Sequence, residues 1–496
     1  MPERPNILFI LSDDHGHWGM GCAGNSEIRT PNLDKLAARG TRFDSAFCAS
    51  PVCSPARMSI FTGKIPSQHG VHDWLAKGHL DEAVLSKELR DAFQQPEPSW
   101  EYAWPKRQLQ GDKAIRFLDG HDTFTWHLAD GGYTCGLSGK WHMGDSYTPQ
   151  AGFTYWKTTA MGGENYYYPV MLEGEEMTLK RGVYITDLIT DNALRFLEEQ
   201  KGAANPFYLS VHYTAPHAPW QREHHPAAFY DLYDGCPFAS VPDVPPHPWS
   251  DLKDKTPEEM AVLRRTYLQG YFAAVTAMDA GIGRILDALE AAGQLSNTLV
   301  IFSGDNGMSM GHHGIFGKGN GTFPMNMYDS AVKVPLIWSH PGRAREGAVC
   351  EELVSHYDLF PTILEWAGLP CTPNPALPGV SFAPLLTGEK SSVRDDVVVF
   401  DEYGPVRMVR TKEWKYIHRY PYGPHELYDL VRDPGEERNL IDDPAAQSVK
   451  ERLIDRLNHW YAAYADPACD GKGEAVHGLG QLRRIGPASG GKPAFI

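Results

Sequence analysis

Asn6-Ile7-Leu8-Phe9-Ile10-Leu11-Ser12-Asp13-Asp14 is the stretch on which the reading of the fold turns. Ile7 to Leu11 is a short continuous apolar run, the pattern of a strand buried on both faces. Two adjacent acids follow it at once. The same unit recurs downstream. Phe207–Tyr213 reads as a strand followed closely by His217, and Thr298–Phe302 as a strand followed by Asp305 and Asn306. Val334–Trp338 is a further buried strand. Helical patterns lie between. One runs from Pro31 to Ala37 and is entered through proline. Another runs from Tyr267 to Ala292, apolar at Ala274, Met278, Ile282, Ile285 and Leu289, and closes at Gly293. This alternation predicts an α/β fold, a large mixed but mainly parallel sheet sandwiched by helices. In open sheets of that kind the chemistry collects beyond the carboxyl ends of the strands. Asp13, Asp14, His217, Asp305 and Asn306 all fall there.

The character of the chain changes after about Leu386. Val397–Asp401, Val406–Arg410, Trp414–His418 and Glu426–Leu430 read as short strands with tight connections, and a helix follows from Ala446 to Tyr461. The expected organisation is a catalytic α/β unit over 1–386, a C-terminal α+β subdomain over 387–465 (a four-stranded antiparallel sheet and a helix), and an irregular Gly/Pro/Ala-rich tail over 466–496. Gln94 to Gly120 reads as a surface insertion. No internal repeat is evident.

With 496 residues, 42% of them hydrophobic, the chain can bury a large core. Its formal net charge of −16 repels polyanions on average and argues against nucleic-acid binding. No apolar run approaches the ~20 residues needed to span a bilayer. The N-terminal run is too short for a signal h-region and meets acids at once. The eight cysteines are scattered without a CxxC pair. These features together point to a reducing, cytoplasmic setting without a membrane partner. The oligomeric state is left open.

Asp13, Asp14, Asp305 and Asn306 make an all-oxygen set of three carboxylates and one amide. Such a set suits a hard divalent cation, Ca²⁺ first and Mg²⁺ second, rather than zinc. Taken one by one, these residues also read as turn or helix-cap residues. Four further stretches carry chemistry-bearing side chains. Cys53-Ser54-Pro55-Ala56-Arg57 is followed by Thr62-Gly63-Lys64. Gly139-Lys140-Trp141-His142-Met143-Gly144 is preceded by Gly132-Tyr133, and on an extended segment Lys140 and His142 would point the same way. In Thr214-Ala215-Pro216-His217-Ala218-Pro219 a histidine between prolines has a restricted backbone. In Gly311-His312-His313-Gly314-Ile315-Phe316-Gly317-Lys318-Gly319 a lysine among glycines could reach an oxyanion. Alone, Cys53 reads as a buried thiol, Lys140 and His142 as a surface lysine and a core histidine, and Lys318 as a solvated loop lysine.

In this order and spacing the motifs resemble the type I, formylglycine-dependent sulfatases of the alkaline phosphatase-like superfamily, from Asn6 to about Leu440. The ending Trp414-Lys415-Tyr416-Ile417, Glu426-Leu427-Tyr428-Asp429-Leu430 and Asp433-Pro434 resembles that family too. Cys135 stands where its second signature usually has Ser or Thr. The resemblance implies that a sulfatase-maturating, formylglycine-generating enzyme oxidises Cys53 to Cα-formylglycine. It also implies that Asp13, Asp14, Asp305 and Asn306 bind the metal, with the modified Cys53 or bound sulfate completing the shell. Arg57 would hold the hydrated aldehyde. Lys140, His217 and Lys318 would bind sulfate, His142 would face the hydrate hydroxyl, and His217 would protonate the leaving alcohol. His313 is a candidate substrate contact.

The implied activity is hydrolysis of a sulfate monoester, a small molecule or oligosaccharide and by expectation a sulfated carbohydrate. Fixed positive charge would be the largest catalytic contribution. The alternatives are a phosphonate or phosphate monoester hydrolase of the same superfamily, and a non-enzymatic sulfoglycan-binding protein. The expected pocket wall is His72-Asp73-Trp74, Asn165-Tyr166-Tyr167-Tyr168 and the His312-His313 loop.

Overall fold

The apolar run that opens the chain forms the strand Asn6–Ser12 at the heart of a ten-stranded sheet. The computed structural model describes residues 4–94, 113–174, 176–400, 406–474, 476 and 478–495. Ile7, Leu8, Phe9, Ile10 and Leu11 are all fully buried. Side chains alternate across a strand, so Ile7, Phe9 and Leu11 enter one core while Leu8 and Ile10 enter another on the opposite face. That two-sided burial is why the run is continuous rather than alternating.

Thr298–Gly304 and Phe207–His212 flank this strand, both parallel to it; Thr134–Gly139 and then Tyr155–Thr159 continue the parallel set. Antiparallel pairing begins outside it. Val170–Glu173 and Glu176–Leu179 close one edge. On the other side Leu336–Ser339 runs antiparallel to Thr298–Gly304 and to Thr41–Phe43, and Ala348–Cys350 completes the sheet. The expected mixed, mainly parallel sheet between helices is therefore present.

Ile185–Glu199 and the 35-residue helix Pro257–Ala291 cover one face. The long helix starts ten residues before the apolar periodicity does, because Thr256 and Glu259 form a reciprocal capping box and Pro257 takes the first helical position. Its first turns are exposed, so no apolar stripe announced them. The opposite face is covered partly by the helix Cys53–Thr62, in which every residue is buried. A helix buried all round shows no amphipathic stripe. It stops at Gly63, whose φ of 65° suits glycine and whose N–H reaches the Ser59 carbonyl.

Val397–Phe400, Val406–Arg410, Trp414–Arg419 and Glu426–Asp429 form a four-stranded antiparallel sheet. One face, with Val398, Val409, Tyr416 and Leu427, packs on Leu453, Leu457, Trp460 and Tyr461 of the helix Gln447–Tyr464. The other face, with Val397, Val399, Met408 and Ile417, merges into the main core. Residues 95–112 of the expected insertion lie outside the described residues. The described part of the tail contains short 3-10 turns at Gly471–Gly473 and Gly486–Ser489. It also folds back on the main unit, where Gln481 bridges Leu75. Among the described residues no helix is long and apolar enough to cross a membrane.

Candidate active site

Four neighbouring strands end at one place. Asp13 and Asp14 follow Asn6–Ser12, Asp305 and Asn306 follow Thr298–Gly304, Lys140 follows Thr134–Gly139, and His217 lies just past Phe207–His212. Backbone bonds fix the acids: Asp13 N–H donates to the Ala215 carbonyl and Asp305 N–H to that of Ser12. Asp14 sits at a φ of 59°, a strained position for a residue with a side chain, and Tyr271 Oη holds its carbonyl at 3.1 Å. Cys53, at the start of its helix, faces the acids from across the sheet end.

Three carboxylates meet three cations here, all deeply buried. Arg57 pairs with Asp305 through Nε at 3.0 Å and Nη2 at 2.9 Å, and its Nη1 donates to the Lys140 carbonyl at 2.9 Å. Lys140 Nζ donates to Asp13. Lys318 Nζ donates to Asp14 at 2.6 Å and to Cys53 Sγ at 3.0 Å. Cys53 Sγ lies 3.2 Å from Asp13 Oδ1. Burial alone would raise the Asp14 carboxyl, but Lys318 and His217 outweigh it and hold it below the ordinary carboxylate range. Burial, with Asp13 beside it, pushes the Cys53 thiol far up, so the unmodified side chain is a neutral thiol rather than a nucleophilic thiolate.

Asp13, Asp14 and Asp305 place carboxylate oxygens within 4.8 Å of one another. Asn306 completes the group: its Nδ2 donates to Asp14 Oδ1 at 2.8 Å, while its Oδ1 is buried without a partner. An orphaned amide oxygen beside three carboxylates fits a hard cation. Asp13, Cys53 and His217 are also close enough to share an ion.

His217 Nε2 lies 3.6 Å from Asp14 Oδ2, its Nδ1 donates to the Ala218 carbonyl at 2.8 Å, and Tyr166 Oη fixes its own carbonyl. It is the most exposed of this group, at the mouth. His142 is placed differently from expectation. The segment after Gly139 is not extended, since His142 has a φ of 56°, so Lys140 and His142 do not share a direction by strand geometry. Its ring packs against Gly162, where a Cβ would come within 2.0 Å of Nε2. Nε2 faces the Leu75 carbonyl at 3.2 Å and Nδ1 is buried without a partner. Burial, then Lys140, His79 and Arg57, hold this imidazole neutral, well below the usual histidine range. His313 stacks face to face on Tyr328, with ring centroids 3.7 Å apart.

Three supporting residues gave no sequence signal: Tyr271, His212, whose Nδ1 lies 3.4 Å from Arg57 Nη1, and Leu75, which acts through its backbone. The stretch His72-Asp73-Trp74 is a correction in part. His72 and Asp73 are buried, and they and Trp74 bond to the tail at Cys469, Gly480 and Gly478 rather than lining an open wall.

A carboxylate cluster that could hold a hard cation, three fixed cations and a buried residue 53 lie together at the open ends of a doubly covered sheet, a setting suited to an oxyanion ester. The Sulfatase family profile matches residues 5–369, and that of the N-sulphoglucosamine sulphohydrolase C-terminal region matches residues 311–463. The chain belongs to the sulfatase family, and it is a sulfuric ester hydrolase of the alkaline phosphatase-like fold. It is 27% identical to an N-acetylglucosamine-6-O-sulfatase of Bacteroides thetaiotaomicron, over 95% of this chain and 88% of the relative. Its fold matches that of BT4656, solved in complex with its substrate D-glucosamine-2-N,6-O-disulfate, with a TM-score of 0.76 and 25% identity over 95% of this chain and all of the other. It also matches the phosphonate monoester hydrolase of Agrobacterium radiobacter with a TM-score of 0.64 over 92% and 96% of the chains; at 20% identity that likeness concerns the fold alone.

Proposed function

We propose that the protein hydrolyses the sulfate monoester of a carbohydrate, with an amino sugar carrying a 6-O-sulfate as the first candidate. The single observation that carries the sugar is the near full-length likeness to an N-acetylglucosamine-6-O-sulfatase. In the proposed mechanism Cys53 is converted by a separate maturating enzyme to Cα-formylglycine, whose hydrate supplies the attacking oxygen. Asp13, Asp14, Asp305 and Asn306 hold Ca²⁺, with Mg²⁺ as second choice; bound there, it would help neutralise the sulfate oxygens.

Lys140 and Lys318 carry the remaining neutralisation, because they already converge on residue 53 and its acids. Arg57 stays charged at any working pH and orients residue 53. His217, at the mouth, donates a proton to the departing sugar oxygen, which leaves as the alcohol. His142, neutral and with a free nitrogen, takes a proton from the second hydroxyl at residue 53, so that sulfate leaves and the aldehyde returns. His313, stacked on Tyr328, is proposed as a contact to the sugar rather than to the sulfate. We place the division between catalytic unit and C-terminal subdomain at 386/387. The eight free cysteines support a cytoplasmic setting.

The phosphonate reading rests on fold alone. Turnover of N-acetylglucosamine 6-sulfate, a nitrophenyl sulfate and a nitrophenyl phosphonate by the matured protein separates the two. The sugar sulfate should have the largest kcat/KM. A preference for the phosphonate would reverse the assignment.

A further inference from the structure

The tail meets the active site through one segment. Leu75, within residues 70–76, is bonded both to the Cys53 helix and to His142. Leu75 N–H donates to Ser54 Oγ at 3.1 Å, next to the modified residue. The Leu75 carbonyl accepts from His142 Nε2 at 3.2 Å and from His79 Nε2 at 2.8 Å. With Nε2 donating, the lone pair of His142 is on Nδ1, the buried atom without a partner. The orientation of one peptide carbonyl therefore selects which nitrogen of the base is free.

That carbonyl is held from the far side by Gln481. Gln481 N–H donates to the Trp74 carbonyl at 2.8 Å, and Ala76 N–H donates to the Gln481 carbonyl at 2.9 Å, bracketing Leu75. The Gln481 side chain is completely buried. Its Oε1 accepts from His72 N–H at 2.8 Å, and its Nε2 donates to the Gly70 and Arg483 carbonyls, each at 2.9 Å. Neighbouring bonds lock the clasp. Gly480 N–H donates to Asp73 Oδ2 at 2.9 Å, His72 Nε2 donates to the Cys469 carbonyl at 2.7 Å, and Ile485, Ala494 and Phe495 anchor the tail in the main core. A peptide whose neighbours on both sides are hydrogen-bonded cannot turn its carbonyl without breaking them.

We propose that Gln481 is a positioning residue for catalysis: by clasping residues 70–76 it fixes the Leu75 carbonyl, and through it the tautomer and direction of His142. The tail is then part of the catalytic unit, although about 430 residues of chain separate Gln481 from Cys53. This rests on the reading of His142 as the base.

The test is a double-mutant cycle between Gln481→Met and His142→Ala in the full-length protein, with conversion of residue 53 checked by mass and a nitrophenyl sulfate as substrate. Methionine keeps the length of the side chain and removes its hydrogen bonds, and Gln481→Glu, which keeps the acceptor for His72, is the second variant should the first not fold. Gln481→Met is expected to lower kcat by about tenfold or more with KM changed less than about twofold, and to accumulate the sulfated form of residue 53. In the His142→Ala background it should cost nothing further. Unchanged kcat in Gln481→Met overturns the proposal, as does an equal loss in the His142→Ala background. Full turnover by His142→Ala itself would instead remove the assignment of the base, and the proposal with it.

Discussion

His142 and His217 are both imidazoles, yet their surroundings suit them to different work. His217 sits at the mouth against Asp14, partly exposed to an incoming alcohol. His142 is buried on Gly162 and kept neutral. A sugar alkoxide is a poor leaving group and needs a proton, whereas a nitrophenolate hardly does. His217→Ala should therefore lower kcat/KM on a sugar sulfate on the order of 10²-fold more than on an aryl sulfate. His142→Ala should slow both alike and leave a sulfated residue 53 visible by intact mass. Equal losses on both substrates for His217→Ala, with no adduct in His142→Ala, would remove these roles while leaving the family membership intact. At this scale the sequence was informative about identity and weak about direction. Lys140 reaches Asp13, and Lys318 and His217 reach Asp14. The positive φ at His142 was not legible, because a Trp-His-Met stretch carries no glycine to announce it.

The elements that build the metal cradle are two adjacent parallel strands, each ending in acids. Their apolar runs were plain, since a strand buried on both faces has no polar residue to interrupt it. Strand direction was not plain: Leu336–Ser339 is as apolar as its neighbours but runs antiparallel, and periodicity is blind to polarity. The pairing of residues 72–74 with the tail was equally hidden, because it joins segments some 400 residues apart. Because the cradle is all oxygen, metal analysis of the purified protein should find about one Ca²⁺ or Mg²⁺ per chain, and exhaustive chelation should abolish turnover, with recovery on adding the ion back. Stoichiometric zinc, or full activity after chelation, would contradict the ligand set.

Across the whole molecule, the cores on the two faces of the sheet enclose many histidines. Burial lowers the pKa of His72 to about 4, and those of His225 and His356 to about 3, from an ordinary 6.5. In each case the unfolded chain takes up a proton that the folded chain refuses. Their contribution to stability is complete above pH 6.5 and is lost as pH falls from there toward 4. Asp279 and Glu436, raised by burial to about 6 and about 7, work in the opposite direction but are fewer. The midpoint of thermal unfolding should fall steadily between pH 7 and pH 4.5. A midpoint that is level or rises across that range would show that these histidines are not held neutral. The small C-terminal sheet does not stand apart: its inner face, from Val397 to Ile417, is continuous with the main core, and its buried Lys415 pairs with Asp329.

All of the chemistry proposed here begins at residue 53, whose native thiol is too strongly protonated to attack an ester. The most direct measurement is the mass of the peptide carrying residue 53 in protein that turns over a sulfate ester, read beside the activity of Cys53→Ala. Conversion to the aldehyde makes that peptide about 18 Da lighter than the thiol form. The lighter form should track activity from preparation to preparation, and a folded Cys53→Ala protein should be inactive. A fully active protein in which every Cys53 remains a thiol would contradict it.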